Sequence, residues 1–317
     1  VPIAQRVLLL NRTEVRQAMS WPALLNACRA ALIGLAAEDA LTSISAQLPL
    51  PGATLHLKAG AVLTPPILSI KANLRPDSGN TAGAILAFDH KDQRLRAILA
   101  SADLTAMRTA AVAAVAVLEL VIKKNPRIAL IGAGPVSTYT GEVLSYLAVS
   151  DDIRVWSRNT EHAQKFVENG AHQQKRVACP TVREALEEAD LVITCTPARV
   201  PLVNIEHLRE DVVVLAMGAD SPGKRELGEG IMESSTLYAD VLGDARRVGE
   251  LSYVAKQEAE RAIPIGVRLA KHDVAQTVMR RIVFDSVGSS AVDAAVVAMT
   301  LATAMESGSG TWVNLDQ

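Results

Sequence analysis

The hydrophobic rhythm of this chain changes at Asn125-Pro126, and the change points to two sheets of different kinds. Between about 41 and 100, apolar residues recur at every second position. Ile44, Ala46, Leu48 and Leu50 alternate with Ser43, Ser45 and Gln47; Leu55-His56-Leu57-Lys58, Leu68-Ser69-Ile70-Lys71 and Ile85-Leu86-Ala87-Phe88 follow. Breaks fall at Pro51-Gly52, Pro65-Pro66, Pro76-Asp77-Ser78-Gly79 and Asp89-His90-Lys91-Asp92. Period two with turn residues between the runs predicts a largely antiparallel meander. Beyond Pro126 short β-branched runs alternate with helical patterns: Arg127–Ile131, Ile153–Trp156, Arg176–Cys179, Leu191–Cys195, Val212–Ala216 and Leu237–Ala239. Strands alternating with helices imply a parallel sheet covered on both faces, because each crossover lays a helix on the sheet.

Helical periodicity also frames the chain. Residues 13–38 carry it, interrupted at Ser20-Trp21-Pro22, where Ser20 can cap and Pro22 can sit in a first turn. A helix capped by Asp103 or Thr105 is expected to run through an alanine-rich stretch to Lys123-Lys124, whose cations suit a helix C-terminus, before Asn125-Pro126 stops it. Near the other end Ser289 or Ser290 can cap a second alanine-rich helix, Ala291 to Met305, closed by Gly308. It resembles the 106–118 segment in composition and is expected to return to the first domain. The expected division is therefore 1–124 with 288–317, and 125–287.

With 317 residues, 49% of them hydrophobic, the chain has enough apolar mass for two modest cores. A formal charge of −2 with three Trp, four Tyr and three Phe leaves neither a basic field nor stacking platforms, so nucleic acid is not an expected partner. The longest apolar stretch, Ala110 to Ile122, is interrupted by Glu119 and is short of the ~20 residues that cross a bilayer. No secretory pattern is visible around Gln5, Arg6 and Asn11, so the expectation is a cytoplasmic protein without a membrane partner. Cys28, Cys179 and Cys195 are odd in number and far apart, and His56, His90, His162, His172, His207 and His272 show no ligand spacing, so no metal site is expected.

The most informative junction is Ile128-Ala129-Leu130-Ile131 running into Gly132-Ala133-Gly134-Pro135-Val136-Ser137. Between a strand and a helix, G-x-G-x-x-S is a dinucleotide cradle. Gly132 makes the tight turn, Gly134 lets the backbone approach a pyrophosphate, and a small residue at 137 permits close helix-strand packing. The helix that opens on Pro135 then offers free N–H groups to the phosphates from Val136 onward, proline itself having none. The next strand ends in Trp156-Ser157-Arg158-Asn159. An NAD site usually carries an acid there for the ribose 2′-OH, whereas a 2′-phosphate calls for arginine. Arg158 therefore favours NADP, with NAD the alternative. Asp151 and Asp152 precede the strand and sit at the wrong end to read the ribose.

Three further features stand out: Lys71 on an apolar strand, Met107-Arg108-Thr109-Ala110-Ala111 opening a helix, and Met217-Gly218-Ala219-Asp220-Ser221-Pro222-Gly223-Lys224-Arg225-Glu226-Leu227 after the fifth strand of the second half. With Gly132 and Gly134 at this distance, they resemble the ornithine cyclodeaminase/mu-crystallin family over nearly the whole chain. The resemblance implies an α/β fold, a Rossmann-type doubly wound parallel sheet domain beside an α+β domain that holds substrate and makes a homodimer. It also implies hydride transfer between a nicotinamide and the α-carbon of a small amino or imino acid.

Carried over position by position, the resemblance makes Lys71 and Arg108 the holders of the substrate carboxylate. A guanidinium fork matches a planar carboxylate, and a lysine with a lowered pKa can also donate a proton. Asp220 matches an aspartate placed near the substrate amine. Thr194-Cys195-Thr196 resembles the strand end lining the cofactor, Met217 and Gly218 join that set, and Ser286-Val287-Gly288 resembles a second glycine turn near the nicotinamide. Cys195 reads as a small apolar filler rather than a nucleophile. One departure affects the substrate: the family's additional arginine on the first meander strand falls here at Ser45, with Arg75 the nearest candidate replacement. Arg158 favours an NADPH-dependent imino-acid (ketimine) reductase. Asp220 keeps a redox-neutral ornithine cyclodeaminase in play, Ser45 permits a catalytically inert NADP-binding protein, and the resemblance also leaves an amino-acid dehydrogenase as an alternative.

Overall fold

The computed structural model describes residues 6–43, 45–77, 81–170, 174–271 and 280–315; Ile44, Ser78, Gly79, His172 and His272 lie outside them. The chain divides into two compact units, Val1–Arg108 with Ser289–Gln317, and Thr109–Gly288.

The first unit opens with β1 (Arg6–Leu10), α1 (Arg12–Gln17) and α2 (Trp21–Ala36). Asn11 and Glu14 form a reciprocal capping box on α1, whereas the Ser20 side chain makes no cap bond on α2, which starts on Pro22 alone. The meander follows as β2 (Ala40–Thr42), β3 (Ala46–Leu50), β4 (Ala53–Val62), β5 (Ile67–Pro76), β6 (Ala82–Asp89) and β7 (Arg94–Ala100). Consecutive strands from β3 to β7 pair antiparallel, as the period-two pattern predicts. β1 joins β7 in parallel. Its Val-Leu-Leu-Leu lacks alternation, which is why periodicity did not mark it as a strand.

On β5 the two faces differ sharply. Ser69, Lys71 and Asn73 are buried, while Leu74 on the opposite face is 40% exposed. Cross-strand register puts Leu48, Leu55, Leu57 and Leu74 on that second face, where Leu48 reaches 54% exposure.

Helix α3 (Ala102–Leu120) begins one residue before Asp103, so neither Asp103 nor Thr105 is its cap. Asp103 lies in the first turn and takes a two-pronged bond from Arg12, at 2.7 Å for each contact. Arg108 sits in the second turn rather than at the opening. The helix ends at Leu120, short of Lys123-Lys124; Lys123 bonds Asp190 instead of capping the helix, at 2.7 Å. The division between units falls inside α3, between Arg108 and Thr109, whereas the sequence break at Asn125-Pro126 marks where the connecting chain turns, Asn125 having φ +51°.

The second unit is a sheet of eight parallel strands. β8 (Ile128–Ile131), α4 (Pro135–Tyr146), β9 (Asp152–Trp156), α5 (Thr160–Glu168), β10 (Lys175–Ala178), α6 (Val182–Leu186), β11 (Leu191–Thr194) and β12 (Val213–Ala216) alternate as predicted. β13 (Thr236–Ala239), α7 (Leu242–Val248), α8 (Lys256–Glu260), β14 (Ile263–Pro264), α9 (Ile265–Lys271) and β15 (Ile282–Asp285) complete it. The spatial order is β10-β9-β8-β11-β12-β15-β13-β14. β8, β11 and β12 are buried along their whole length, as parallel strands covered on both faces must be. β15 is a correction to the sequence reading. Its three apolar residues, Ile282 to Phe284, are closed in between Arg281 and Asp285 and do not stand out, yet the strand inserts beside β12 and displaces β13 outward. The order reverses at β8, with β9 on one side and β11 on the other, which is the switch point where α/β sheets bind ligands.

The chain then returns to the first unit through α10 (Ser290–Ser307) and β16 (Thr311–Asn314), the latter pairing antiparallel with β1. Ser289 caps α10 through Ala291 N–H, and Gly308 closes it at φ +69°. The start of α10 lies so close to β4 that a Cβ at Gly60 would collide with the Ser290 backbone. Ser290 Oγ also donates to the Ala59 carbonyl at 2.5 Å and accepts from Thr42 Oγ1 at 2.7 Å. Glycine at 60 therefore sets the depth at which the first turn of α10 meets the sheet.

Candidate functional site

A cleft of about 630 Å³ opens at the C-terminal ends of β8, β9 and β11. Gly132 and Gly134, then Ser157, Arg158 and Asn159, and Cys195 and Thr196 line it, so the switch point gathers these sequence-predicted residues. The backbone ladder continues past the strand ends to form its floor. Gly132 N–H donates to the Trp156 carbonyl and Cys195 N–H to that of Ile131, each at 2.8 Å. Gly132 has φ +116°, and a Cβ there would stand 2.8 Å from the Cys195 carbonyl oxygen, so the turn excludes other residues. At Gly134, the N-cap of α4, a Cβ would meet nothing within 4 Å, and no side chain bonds the first N–H groups of the helix. An open backbone and a helix start with uncommitted donors fit a dinucleotide pyrophosphate.

Arg158 is exposed and, among the described residues, makes no bond to any side chain. Asn159 is partly committed: its side chain caps α5 by accepting from Glu161 N–H at 3.0 Å. Two polar lining residues escaped the sequence reading, His162 on α5 and Arg199 after β11. Neither has a motif, and only the turn of the chain brings them to the same opening. None of the lining residues is a carboxylic acid.

Val136, Ser137, Thr194, Met217, Gly218, Val287 and Gly288 are not among the lining residues, although Pro135 and Gly134 border an adjoining recess. Ser137 is fully buried, in keeping with its packing role. Thr194 and Gly218 act through a residue that sequence reasoning quoted without a role. Glu226 accepts from Thr194 Oγ1 at 2.6 Å, from Thr196 N–H and Oγ1 at 2.7 Å each, and from Gly218 N–H at 2.8 Å. This fully buried carboxylate latches the ends of β11 and β12 together. Burial pushes its pKa up, and the Thr194, Thr196 and Gly218 donors only partly oppose that.

Behind it, Glu250 accepts from Glu226 N–H at 2.6 Å; burial and the neighbouring Glu226 charge raise it to about 7. Asp285 at the end of β15 is also pushed well up, by burial and by Glu250 and Asp240. Asp240 shapes the second glycine turn. It accepts from Ser286 Oγ at 2.8 Å, Val287 N–H at 3.2 Å and Gly288 N–H at 2.8 Å. Burial raises the Cys195 thiol above its ordinary range, which suits a filler and not a nucleophile. No group of three or more His, Cys, Asp or Glu side chains that could hold a metal occurs among the described residues, and no helix among them is long and apolar enough to cross a membrane.

In the first unit Lys71 and Arg108 do come together, and a third residue joins them. Asp293, in the first turn of α10, accepts from Lys71 Nζ at 2.6 Å through Oδ2 and from Arg108 Nε at 2.8 Å through Oδ1. All three are buried. Burial alone would raise the Asp293 carboxyl, but Lys71 and Arg108 outweigh it and hold the pKa below its ordinary value. Lys71 falls to about 8, because burial, Arg108 and Lys58 outweigh the upward pull of Asp293. The sequence reading missed Asp293 because a single acid in an alanine-rich helix looks like a first-turn residue favoured by the helix dipole.

Asp220 is tied locally: Lys224 Nζ at 2.5 Å and Ser221 Oγ at 2.9 Å both donate to its Oδ1. Ser45 lies between β2 and β3. Arg75 shares the face of Lys71 but stands four residues along β5, ~13 Å away at strand rise, and takes no part in the bonds to Asp293.

Comparison with known proteins agrees with this architecture. The model of the Ornithine cyclodeaminase/mu-crystallin family matches residues 78–308. Ketimine reductase mu-crystallin of Rattus norvegicus is 32% identical over 157 residues, 50% of each chain, so the match spans about half the length of that relative. L-lysine cyclodeaminase of Streptomyces rapamycinicus is 30% identical over 236 residues, 72% of this chain and 67% of the relative. Among solved structures, an archaeal alanine dehydrogenase dimer with bound NAD superposes with a TM-score of 0.88 at 22% identity, covering 98% of this chain and 100% of that one.

Proposed function

The chain belongs to the ornithine cyclodeaminase/mu-crystallin family, and from that premise we propose that it is an NADPH-dependent imino-acid reductase acting on a small cyclic or open imino acid such as pyrroline-2-carboxylate. The observation that carries this reading is the cleft at the switch point. Its lining holds Arg158, Arg199 and His162 and no carboxylic acid, a donor set suited to a 2′-phosphate. When bound, the nicotinamide supplies the hydride for the α-carbon. The α4 N-terminus holds the pyrophosphate, Arg158 the 2′-phosphate, Arg108 the substrate carboxylate, and Lys71 delivers a proton to the imine nitrogen.

Titrating NADPH and NADH against wild type and Arg158→Ala tests the cofactor half. The variant is expected to lose roughly 10–100-fold of the NADPH preference, the weight of a charge-assisted hydrogen bond. An unchanged preference refutes the assignment. For the reaction half, NADPH absorbance falls on addition of pyrroline-2-carboxylate. Proline formed from ornithine with no net cofactor change would instead identify a cyclodeaminase. That alternative has less support, since Lys224 and Ser221 already engage the Asp220 carboxylate.

A homodimer is part of the same proposal. The face of the first unit's sheet carrying Leu48, Leu57 and Leu74 is apolar and exposed in the single chain, and a second copy would cover it. Sedimentation of wild type against Leu48→Glu/Leu74→Glu checks this, with the variant expected to sediment as a monomer.

A further inference from the structure

We propose that Asp293 is a positioning residue for this reduction: seated between Lys71 and Arg108, it leaves the outer edge of the guanidinium for the substrate carboxylate and keeps the Lys71 ammonium for proton transfer. The inference rests on the reductase reading above and divides between two residues a task that the sequence gives to both.

The bonds of Asp293 are those a bridging substrate carboxylate would make, one oxygen to Lys71 Nζ and the other to Arg108 Nε. That seat is taken by the protein itself. Evicting Asp293 would strand a carboxylate that is 1% exposed, and an uncompensated buried charge is strongly unfavourable. An incoming carboxylate therefore binds elsewhere on the same cations. Arg108 has five N–H donors and spends one at Nε; among the described residues its Nη groups bond to nothing. The Nη edge is a fork of parallel donors, the geometry a planar carboxylate prefers. Lys71 has three donors and gives one to Asp293, which fixes the ammonium without consuming it.

The surroundings of Lys71 come from four elements. Lys58 lies cross-strand on β4, Arg108 on α3 and Asp293 on α10. Cys28 on α2 donates to the Arg108 carbonyl, and burial pushes its thiol up to about 12, so it stays neutral. Among the described residues Asp293 is the one acid acting on Lys71, and it sustains the protonated lysine against two cations and burial. Its place depends on Gly60 and the Ser290 bonds, which set how deeply the first turn of α10 enters.

The test pairs binding with turnover. Calorimetry with pyrrole-2-carboxylate, a planar monocarboxylate that cannot be reduced by hydride addition to an imine, is run on wild type, Lys71→Met, Arg108→Met and Asp293→Asn; thermal melting confirms that each variant folds. Arg108→Met is expected to weaken binding at least tenfold and Lys71→Met by less than threefold. In titrations run at a pH low enough to keep Lys71 protonated, Asp293→Asn frees it to join the anion site, so binding tightens severalfold. In turnover, kcat needs the protonated lysine and falls as pH rises through its pKa, which lies at about 8. Removing the aspartate charge lowers that pKa, so the basic limb of Asp293→Asn moves to lower pH while KM falls. Lys71→Met weakening binding as much as Arg108→Met overturns the proposal, as does Asp293→Asn leaving binding and basic limb in place, or wild type failing to bind the probe. Should Asp293→Asn not fold, the Lys71→Met and Arg108→Met titrations decide alone. A wild type that binds the probe but never oxidises NADPH refutes the reductase reading, while the binding pattern still decides the role of Asp293.

Discussion

Each unit buries carboxylates, and the two solve the problem in opposite ways. Asp293 in the first unit is surrounded by cations and is held ionised below the ordinary range. Glu226, Glu250 and Asp285 in the second unit have backbone N–H and hydroxyl donors and one another for company, and all three are pushed upward. Donors alone can position a carboxylate without making its charge comfortable, whereas cations do both. The first arrangement suits a site that must recognise charge; the second suits a brace that fixes loop ends around a cofactor.

The largest expected effect comes from breaking the cationic arrangement. Asp293→Ala leaves Lys71 and Arg108 buried without a counter-charge, and breaking such a pair costs about 3–5 kcal/mol. Urea denaturation at neutral pH is expected to show this loss, and Lys71→Met/Asp293→Ala to recover part of it by removing one stranded cation. A single-variant loss below about 1 kcal/mol would mean that water already reaches the pair.

Glu226→Gln tests the donor-only brace. The amide keeps one acceptor oxygen but turns an NH₂ toward either the two Thr196 donors or the pair Thr194 Oγ1 and Gly218 N–H, leaving a buried donor unpaired at about 1–3 kcal/mol. Dinucleotide affinity is expected to fall together with stability, because Thr194, Thr196 and Gly218 lose their common anchor. If stability falls and affinity does not, the brace supports the sheet and not the cofactor loops.

The contrast also has a sign in pH. Asp293 has a lowered folded pKa, so its contribution is present above the ordinary 3.8 and is lost as pH falls below it. Glu250 has a raised one, so stability is fully present below 4.5 and declines as pH rises towards about 7. Glu250→Gln is therefore expected to flatten the decline in denaturation midpoint across that window. An unaltered slope would assign the titration to other groups.

These contrasts also mark how far the sequence could be read. Alternation located β3 to β6, because each carries apolar side chains at every second position, and the turn at Gly132 was legible since its φ of +116° demands glycine. Lys71 and Arg108 were found through motifs. Asp293 was not, because its meaning depends on a contact spanning 222 residues that no local pattern encodes. Glu226 was legible as part of a motif but not as a latch, since its four donors come from three residues at the ends of two strands, β11 and β12. His162 and Arg199 became visible only when the switch point brought their elements to one opening. β15 was missed because only three apolar residues, Ile282 to Phe284, stand between the charged Arg281 and Asp285.

The smallest effect sharpens the comparison from the surface. Lys123 was expected to complement the dipole of α3, but the helix stops at Leu120 and the lysine reaches Asp190 instead. Its side chain is 55% exposed, so water screens the pair. Asp190 keeps the Arg127 N–H bond at 2.9 Å when the lysine is removed. Lys123→Ala is expected to cost less than about 1 kcal/mol, as exposed ion pairs do, and to leave the helical circular dichroism of α3 unchanged. A larger loss would show that a surface cation can match a buried one, and would remove burial as the reason the two units treat their carboxylates differently.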